Sequence, residues 1–460
     1  MDYNVIIVGA GPAGIFCSLE LIAKAPSLKI LIIEQGKDID RRHCPMDDGG
    51  RVCMSCPECE LVSGWGGAGA YSDGKLTLSP EIGGNLTRYM DTASLQSLIN
   101  YVDGIYVKYG APTELHGNDN SAANTIKDLA ARNDLTFIPS KIRHIGTDRC
   151  REVLTEMRKA VEGKVDAIFE KDVQRILVNK KKAVGVRLGD GTEIRADCII
   201  LAPGRTSSKW LETESKRLKL TLLKNAVDIG VRVEVPAQVL EPLTLVMYEP
   251  KMIFYSKKFD DRVRTFCVNP YGVVVKEHMK GICTVNGHSY SDRKTDNTNF
   301  AILSSTFFTE PFNEPISYGM YIAGLANFLG GGVIVQRLGD LIKGRRSTPE
   351  RIARGIVKPT LRDSTPGDLS FVLPYRYLSN ILEMLEVLDR IAPGVNSRHT
   401  LLYGVEVKFY SMQIKLTNSL ETEMRDLFAI GDGAGVSRGL IQASVSGVIA
   451  AREVIKRNGL

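Results

Sequence analysis

Apolar residues fall into short solid runs, helical stripes and period-two alternations, a mixture that predicts an α/β protein. Tyr3 to Val8 is a run of strand length. Ile15, Phe16, Leu19 and Ile22 then recur at helical spacing, stopping before Pro26, and Ile30 to Ile33 forms a second run. Residues 88–134 carry two amphipathic helical patterns. A third runs from about Arg151 to Glu162, with Val153, Leu154, Met157 and Val161 on one face. Residues 165–204 alternate, predicting a three-strand meander of Ala167–Phe169, Ile176–Val178 and Ala183–Val186. A hairpin turn at Gly189-Asp190-Gly191 then leads to a strand at Cys198. Past Val227, strand-like runs at 231–235, 252–255, 266–268, 273–276, 282–285 and 299–308 predict an antiparallel sheet, with helices after it, including Leu378–Ile391. Gly330-Gly331-Gly332 reads as a helix C-terminus. The expected division is a discontinuous Rossmann-like parallel-sheet domain over 1–225 and 401–460, with an α+β substrate or cap domain inserted over 226–400.

The turn after the first run carries the most specific chemistry. Gly9-Ala10-Gly11-Pro12-Ala13-Gly14 sits between strand and helix, and the second strand ends in Glu34-Gln35. Glycines there permit a tight turn and close approach of backbone to a pyrophosphate. The helix N-terminus offers amides and positive dipole, and a carboxylate at the end of the second strand can accept from both ribose hydroxyls. Strand, turn, helix, strand and acid in this order predict dinucleotide binding.

Three further segments carry a resemblance. Leu427 to Gly435 contains a strand and the turn Gly431-Asp432. Gly439-Leu440-Ile441 opens a helix of small residues. Cys198 to Arg205 ends a strand in Ala202-Pro203-Gly204. Together they resemble the glutathione-reductase-like FAD superfamily, which implies Asp432 on the ribityl chain and the 439–441 helix end facing the flavin N1–C2=O edge. Gly66-Gly67-Ala68-Gly69-Ala70-Tyr71-Ser72-Asp73-Gly74-Lys75-Leu76 is similar to the G-G-A-G-x-[FY]-S-D-G-K-L segment of a family of bacterial FAD-dependent dehydrogenases. Val227–Glu234 and Asn286–Ser289 extend that resemblance over nearly the whole chain. It implies resident FAD, with Gly66, Gly67, Ala68, Ser72 and Asp73 beside it.

Four of the nine cysteines, Cys44, Cys53, Cys56 and Cys59, crowd into a loop over 41–61 that has no apolar period. Four thiolates suit a [4Fe–4S] cluster or a structural zinc, and free thiols are the third reading. His43 is a further ligand candidate, although Arg41 and Arg42 beside it suggest a solvated turn. The remaining five cysteines fall in strand or helix patterns and read as core.

Composition narrows the class. A net charge of +6 on 460 residues gives no nucleic-acid signature, no apolar run reaches membrane-spanning length, and the first strand begins too early for a signal peptide. A cytoplasmic enzyme is the expectation. Hydride transfer through flavin N5 is expected, between an electron donor and a small organic substrate, with reduction of an activated C=C bond as the leading subclass. No second G-x-G-x-x-G is present, so NAD(P)H is expected only as a transient donor. Lys75, Asp73, His288 and Arg438 are the candidate catalytic residues: charge beside the flavin, proton donation, and a substrate carboxylate anchor. The alternative is an electron-transfer module linking a redox partner protein to FAD through a cysteine-ligated iron–sulfur centre.

Overall fold

The computed structural model describes residues 2–460 apart from 45–55, 57, 118–119, 224, 280, 291–293, 310, 313 and 410–411. Two compact units are formed: Met1–Glu114 with Ile142–Asn225 and Tyr410–Leu460, and Leu115–Lys141 with Ala226–Phe409.

The first unit is built on a parallel sheet in the order Asp166–Ile168, β2 (Ile30–Ile33), β1 (Tyr3–Val8) and Glu193–Leu201. Val5 to Val8 and Ile30 to Ile33 are buried along their length, as expected of parallel strands covered on both faces. Glu193–Leu201 is long enough to serve two sheets. Its first half pairs antiparallel with Lys182–Leu188, and its second half runs parallel to Leu427–Ala429. The meander is therefore Val173–Asn179, Lys182–Leu188 and Glu193–Leu201. The expected meander strand at Ala167–Phe169 belongs elsewhere: Asp166–Ile168 joins the parallel sheet, pairing Ala167 with Ile32. Alternation alone cannot say which neighbour a short strand takes.

Helix α1 (Pro12–Lys24) crosses the C-terminal helix Leu440–Arg457 closely. A Cβ on Gly447 would lie 2.1 Å from the Ala13 carbonyl oxygen, so only glycine allows this approach. Thr92–Lys108 and Thr147–Val161 pack their apolar stripes into the same core, where Leu95, Ile99, Val153 and Met157 are buried.

The second unit has an eight-stranded sheet in which Leu401–Lys408 lies between Ile334–Arg337 and Val227–Pro236. Next come Asn297–Thr306, Arg262–Asn269, Lys251–Tyr255 and Thr136–Ile138. Two boundaries of the expected division are corrected here. Leu401–Lys408 completes the second unit's sheet instead of returning to the first. Leu115–Lys141 also belongs to the second unit, through the pairing of Phe137 with Met252. Val227–Pro236 sends Val227, Ile229, Val231, Val233 and Val235 into the apolar core, whereas Asp228, Arg232 and Glu234 alternate with them and are buried as well. The hairpin Val273–Met279/Ile282–His288 forms a separate two-stranded sheet. Helix Pro315–Gly330 ends at Gly331 in the left-handed region, φ 65°, as the glycine triplet predicts.

Candidate functional site

Within the first unit, the glycines of the first turn divide by what requires them. Gly9 has φ +109°, and a Cβ there would meet the Ala202 carbonyl oxygen at 2.4 Å. Gly14 would place a Cβ 2.0 Å from the Gly9 carbonyl oxygen. Gly11 is different. Its backbone is extended, φ −75° and ψ −179°, and a Cβ there would meet nothing within 4 Å. Neither conformation nor packing inside the protein calls for glycine at 11, so the constraint lies in the space in front of it.

Two helices open onto this region. Pro12–Lys24 and Leu440–Arg457 both start from a glycine, with no side-chain cap and no acidic residue in the first turn. Their positive ends receive no anionic complement from their own sequences. The glycine-rich segment joins them. A Cβ on Gly67 would lie 3.4 Å from Gly11 Cα, and one on Gly69 would lie 3.0 Å from Leu440 Cδ2 and 3.5 Å from Pro12 Cγ. The Gly66 amide donates to the Ala10 carbonyl at 2.8 Å. Ala68 is exposed on the short helix Gly67–Tyr71, and Ser72 closes that helix by donating from Oγ to the Gly69 carbonyl.

Glu34 has a larger structural part than its motif position suggests. It is 7% exposed. Its Oε2 accepts from the Ala10 amide at 2.7 Å, and its Oε1 accepts from the Gly36 and Gly64 amides at 2.9 Å each. One carboxylate thus pins the first turn, the end of β2 and the start of the glycine-rich segment. Gln35 donates to Ser63 Oγ and accepts from Ser207 Oγ.

The third wall is the pair of turns Ala202–Gly204 and Gly431–Gly433. The Gly433 amide donates to the Pro203 carbonyl at 3.0 Å, and Ser437 Oγ donates to Asp432 Oδ1 at 3.1 Å. The amides of Arg438 and Gly439 both donate to the Gly83 carbonyl, leaving the Arg438 side chain exposed. Buried Gln442 fixes the 80–86 segment, donating to the Pro80 and Ile82 carbonyls and accepting from the Leu86 amide. Nothing in the local sequence marked Gln442; its partners lie more than 350 residues away.

Lys75 and Asp73 form an ion pair at 3.0 Å with side chains 9% and 22% exposed; Lys75 opens the strand Lys75–Thr77, which pairs with Ile142–His144. His288 ends a strand of the second unit and is exposed. Asp73, Lys75 and Arg438 belong to the first unit and His288 to the second.

Arg42 is the largest departure from expectation. Instead of lying in a solvated turn, it is 1% exposed. It donates to the Glu60 carbonyl from Nε and Nη2, at 3.0 and 2.6 Å, and to the Trp65 carbonyl from Nη1 at 2.6 Å. Its guanidinium lies 5.0 Å from the Tyr71 ring centre, and burial lowers its pKa. Glu60 in turn holds Lys37 at 2.6 Å and accepts from the His43 amide at 2.7 Å. These bonds tie residues 42–43 to residue 60, closing the cysteine loop at its base. Cys44 is half-buried and Cys56 and Cys59 are exposed, while Cys53 lies outside the described residues. Among the described residues no three His, Cys, Asp or Glu side chains converge as a metal site; the expected four-thiolate set includes Cys53 and so lies partly outside them. Among the described residues no helix is long and apolar enough to cross a membrane.

An uncharacterized protein of Clostridium beijerinckii is 28% identical over 483 residues, covering 98% of this chain and 80% of that one. Among solved structures, L-proline dehydrogenase from P. horikoshii aligns at 11% identity and TM-score 0.42, covering 99% of this chain and 94% of that one. Glycine oxidase from Geobacillus kaustophilus aligns at 12% identity and TM-score 0.41, covering 99% and 95%. At that level of similarity neither bears on function. Residues 226–409 match the family described as FAD-dependent protein, C-terminal domain-like, over bounds that coincide with the main segment of the second unit.

Proposed function

We propose that the chain is an FAD-dependent oxidoreductase that acts on a small organic substrate, with NAD(P)H as electron donor. Gly11 carries the proposal: a glycine with ordinary backbone and open space before it, at the mouth of an uncapped helix, is the feature a bound pyrophosphate explains and the protein alone does not. The amides of the first turn of α1 would face the pyrophosphate. Glu34 would face the adenosine ribose. A carboxylate has about four acceptor sites, and three amides already use Glu34, so it has room for one ribose hydroxyl and not two. Asp432 would hold the ribityl chain, and the amides of Leu440 and Ile441 would face the pyrimidine edge of the flavin, where a helix N-terminus favours negative charge. When bound, the flavin supplies two-electron chemistry at N5. Lys75, held by Asp73, sets a fixed positive charge beside the glycine-rich segment.

For the substrate, reduction of an activated C=C bond is the favoured subclass, with Arg438 as a carboxylate anchor. The test is chemical. Released chromophore from denatured protein is expected to be FAD at about one per chain; no flavin, or FMN alone, refutes the proposal. Gly11→Ala is expected to keep the fold by circular dichroism and weaken flavin retention, because its Cβ meets no protein atom within 4 Å and enters the proposed pyrophosphate site.

A further inference from the structure

One helix of the second unit reverses the usual pattern of a helix facing water. Pro315–Gly330 has no charged residue in its 16 positions. Its buried face includes the small residues Gly319, Ala323 and Ala326. A Cβ on Gly319 would lie 2.8 Å from Phe409 and 3.0 Å from Val227 and Val407, so the helix presses closely on the sheet. Its large side chains stand on the other side. Tyr321 is 80% exposed, Phe328 86%, Leu329 49% and Leu325 39%. These four fall at i, i+4, i+7 and i+8, which makes them one stripe. A contiguous apolar stripe in water marks an interaction surface.

The surplus charge of the chain lies beside the C-terminal end of that helix. Arg337–Asp363 hold eight Lys and Arg against three acids, Asp340, Glu350 and Asp363, a net of +5 where the whole chain carries +6. Asp340 is buried and bonded to Arg345 at 2.9 Å and to Ser347. Asp363 holds Lys276 at 2.6 Å. Glu350 is exposed, within electrostatic reach of Arg354 and Arg346 and paired with neither. Lys343, Arg346, Arg354, Lys358 and Arg362 are exposed, and among the described residues none has a carboxylate within 4.0 Å. Two apolar tips stand among them in the chain: Ile342 before Lys343, and Ile356 between Arg354 and Lys358, both well exposed. The helix and the basic segment meet directly. Thr365 Oγ1 donates to the Gly330 carbonyl at 2.6 Å, and a Cβ on Gly332 would lie 3.8 Å from the Nζ of Lys276, the partner of Asp363. Glu314, the acid next to the helix in sequence, is at its opposite end.

We infer that this face of the second unit binds the surface of an anionic lipid bilayer, with the stripe from Tyr321 to Leu329 among the acyl chains and the cations of 343–362 on the headgroups. At ~1.5 Å per residue the helix is about 24 Å long, short of the ~30 Å hydrocarbon core, so it lies in the interface and does not span. Charge complementarity selects this occupant. A two-fold pairing of the face with a second copy would bring two sets of the same cations together. A nucleic acid would neutralise the cations but leave Leu325, Leu329, Ile342 and Ile356 in water. The inference uses neither flavin nor the reaction proposed above.

The full chain is floated with phosphatidylcholine vesicles, with and without phosphatidylglycerol. It is expected to bind only the mixed vesicles and to be released as salt is raised. Phe328→Ser is expected to weaken that binding about tenfold, and Arg346→Gln combined with Arg354→Gln about fivefold per charge. Lys180→Gln combined with Lys181→Gln removes the same charge from an exposed turn of the first unit and is expected to leave binding unchanged. Every substituted side chain is exposed, so wild-type circular dichroism is expected throughout. Phe328→Trp is expected to add an emission that brominated acyl chains quench, beyond any quenching of Trp65 and Trp210 in wild type. Failure to bind the mixed vesicles, an equal loss from the Lys180 and Lys181 pair, unchanged binding of Phe328→Ser, or no added quenching would each overturn the inference. So would a dimer that Phe328→Ser dissociates, which gives the stripe to a second copy, or a DNA oligonucleotide held more tightly than the mixed vesicles.

Discussion

Replacing Glu34 by alanine separates two roles that one carboxylate was assigned. In the structure it accepts from three amides, those of Ala10, Gly36 and Gly64, in a position only 7% exposed. Each amide left unsatisfied costs about 1–3 kcal/mol, and bonds to a charged acceptor stand at the upper end of that range. Relaxation of the three loops and entry of water recover part of the sum, leaving an expected loss of about 3–5 kcal/mol, at the high end for a single substitution. The assay is urea unfolding of flavin-free protein, wild type against Glu34→Ala, so that any contribution from ribose binding is absent from both. Flavin affinity is then measured on the same variant. A loss below about 1 kcal/mol without flavin, coupled to a large fall in flavin affinity, would show that Glu34 serves the nucleotide alone and that the three amide bonds carry little of the stability.

Arg42→Met removes three hydrogen bonds to the Glu60 and Trp65 carbonyls, and is expected to lower stability to urea by about 1.5–3 kcal/mol or more; an unchanged unfolding midpoint would refute the clamp. Because that clamp runs through the Glu60 and Trp65 carbonyls and not through a thiol, Cys56→Ser and Cys59→Ser are expected to leave flavin content unchanged, and metal analysis of anaerobically purified protein reads the thiols independently; co-loss of flavin would tie the loop to the cofactor. Asp340 gives a pH signature. Burial alone would raise its pKa, but hydrogen bonds from Ser347 and Arg345 outweigh it and hold the group below its ordinary value near 4. Its folded pKa being depressed, its stabilisation is present above about pH 4 and drains as pH falls through the folded value. The destabilisation caused by Asp340→Asn is therefore expected to be larger at pH 7 than at pH 3, and a penalty independent of pH would refute the ion pairing.

What the sequence disclosed and what it hid follow from range. The first turn and α1, the second strand, and the cap at Gly331 are each written in contiguous residues whose spacing has one structural meaning. The burial of Arg42 was hidden because its partners, Glu60 and Trp65, lie across a loop with no pattern. Leu401–Lys408 reads as an apolar strand, but strand character does not name the sheet, and its neighbours Val227–Pro236 and Ile334–Arg337 are distant in sequence. The placement of Leu115–Lys141 rests on the three-residue strand Thr136–Ile138, too short for a pattern to register. Glu34 was recognised by position, but its binding to Gly64 depends on a contact 30 residues away.

The long strand Glu193–Leu201, which serves two sheets, also sets a timetable for synthesis. Its parallel partner Leu427–Ala429 and the helix Leu440–Arg457 leave the ribosome after every other element of the first unit, and after all of the second. Until then the strand has one edge of its second half uncovered and α1 lacks the helix that Gly447 fits against it. The second unit, whose segment Ala226–Phe409 is unbroken, has most of its sheet available earlier. A nascent chain arrested near residue 420 would expose an unpaired parallel edge and lack the helix that packs on α1. Such arrested chains should depend on chaperones that mask strand edges far more than the finished protein does.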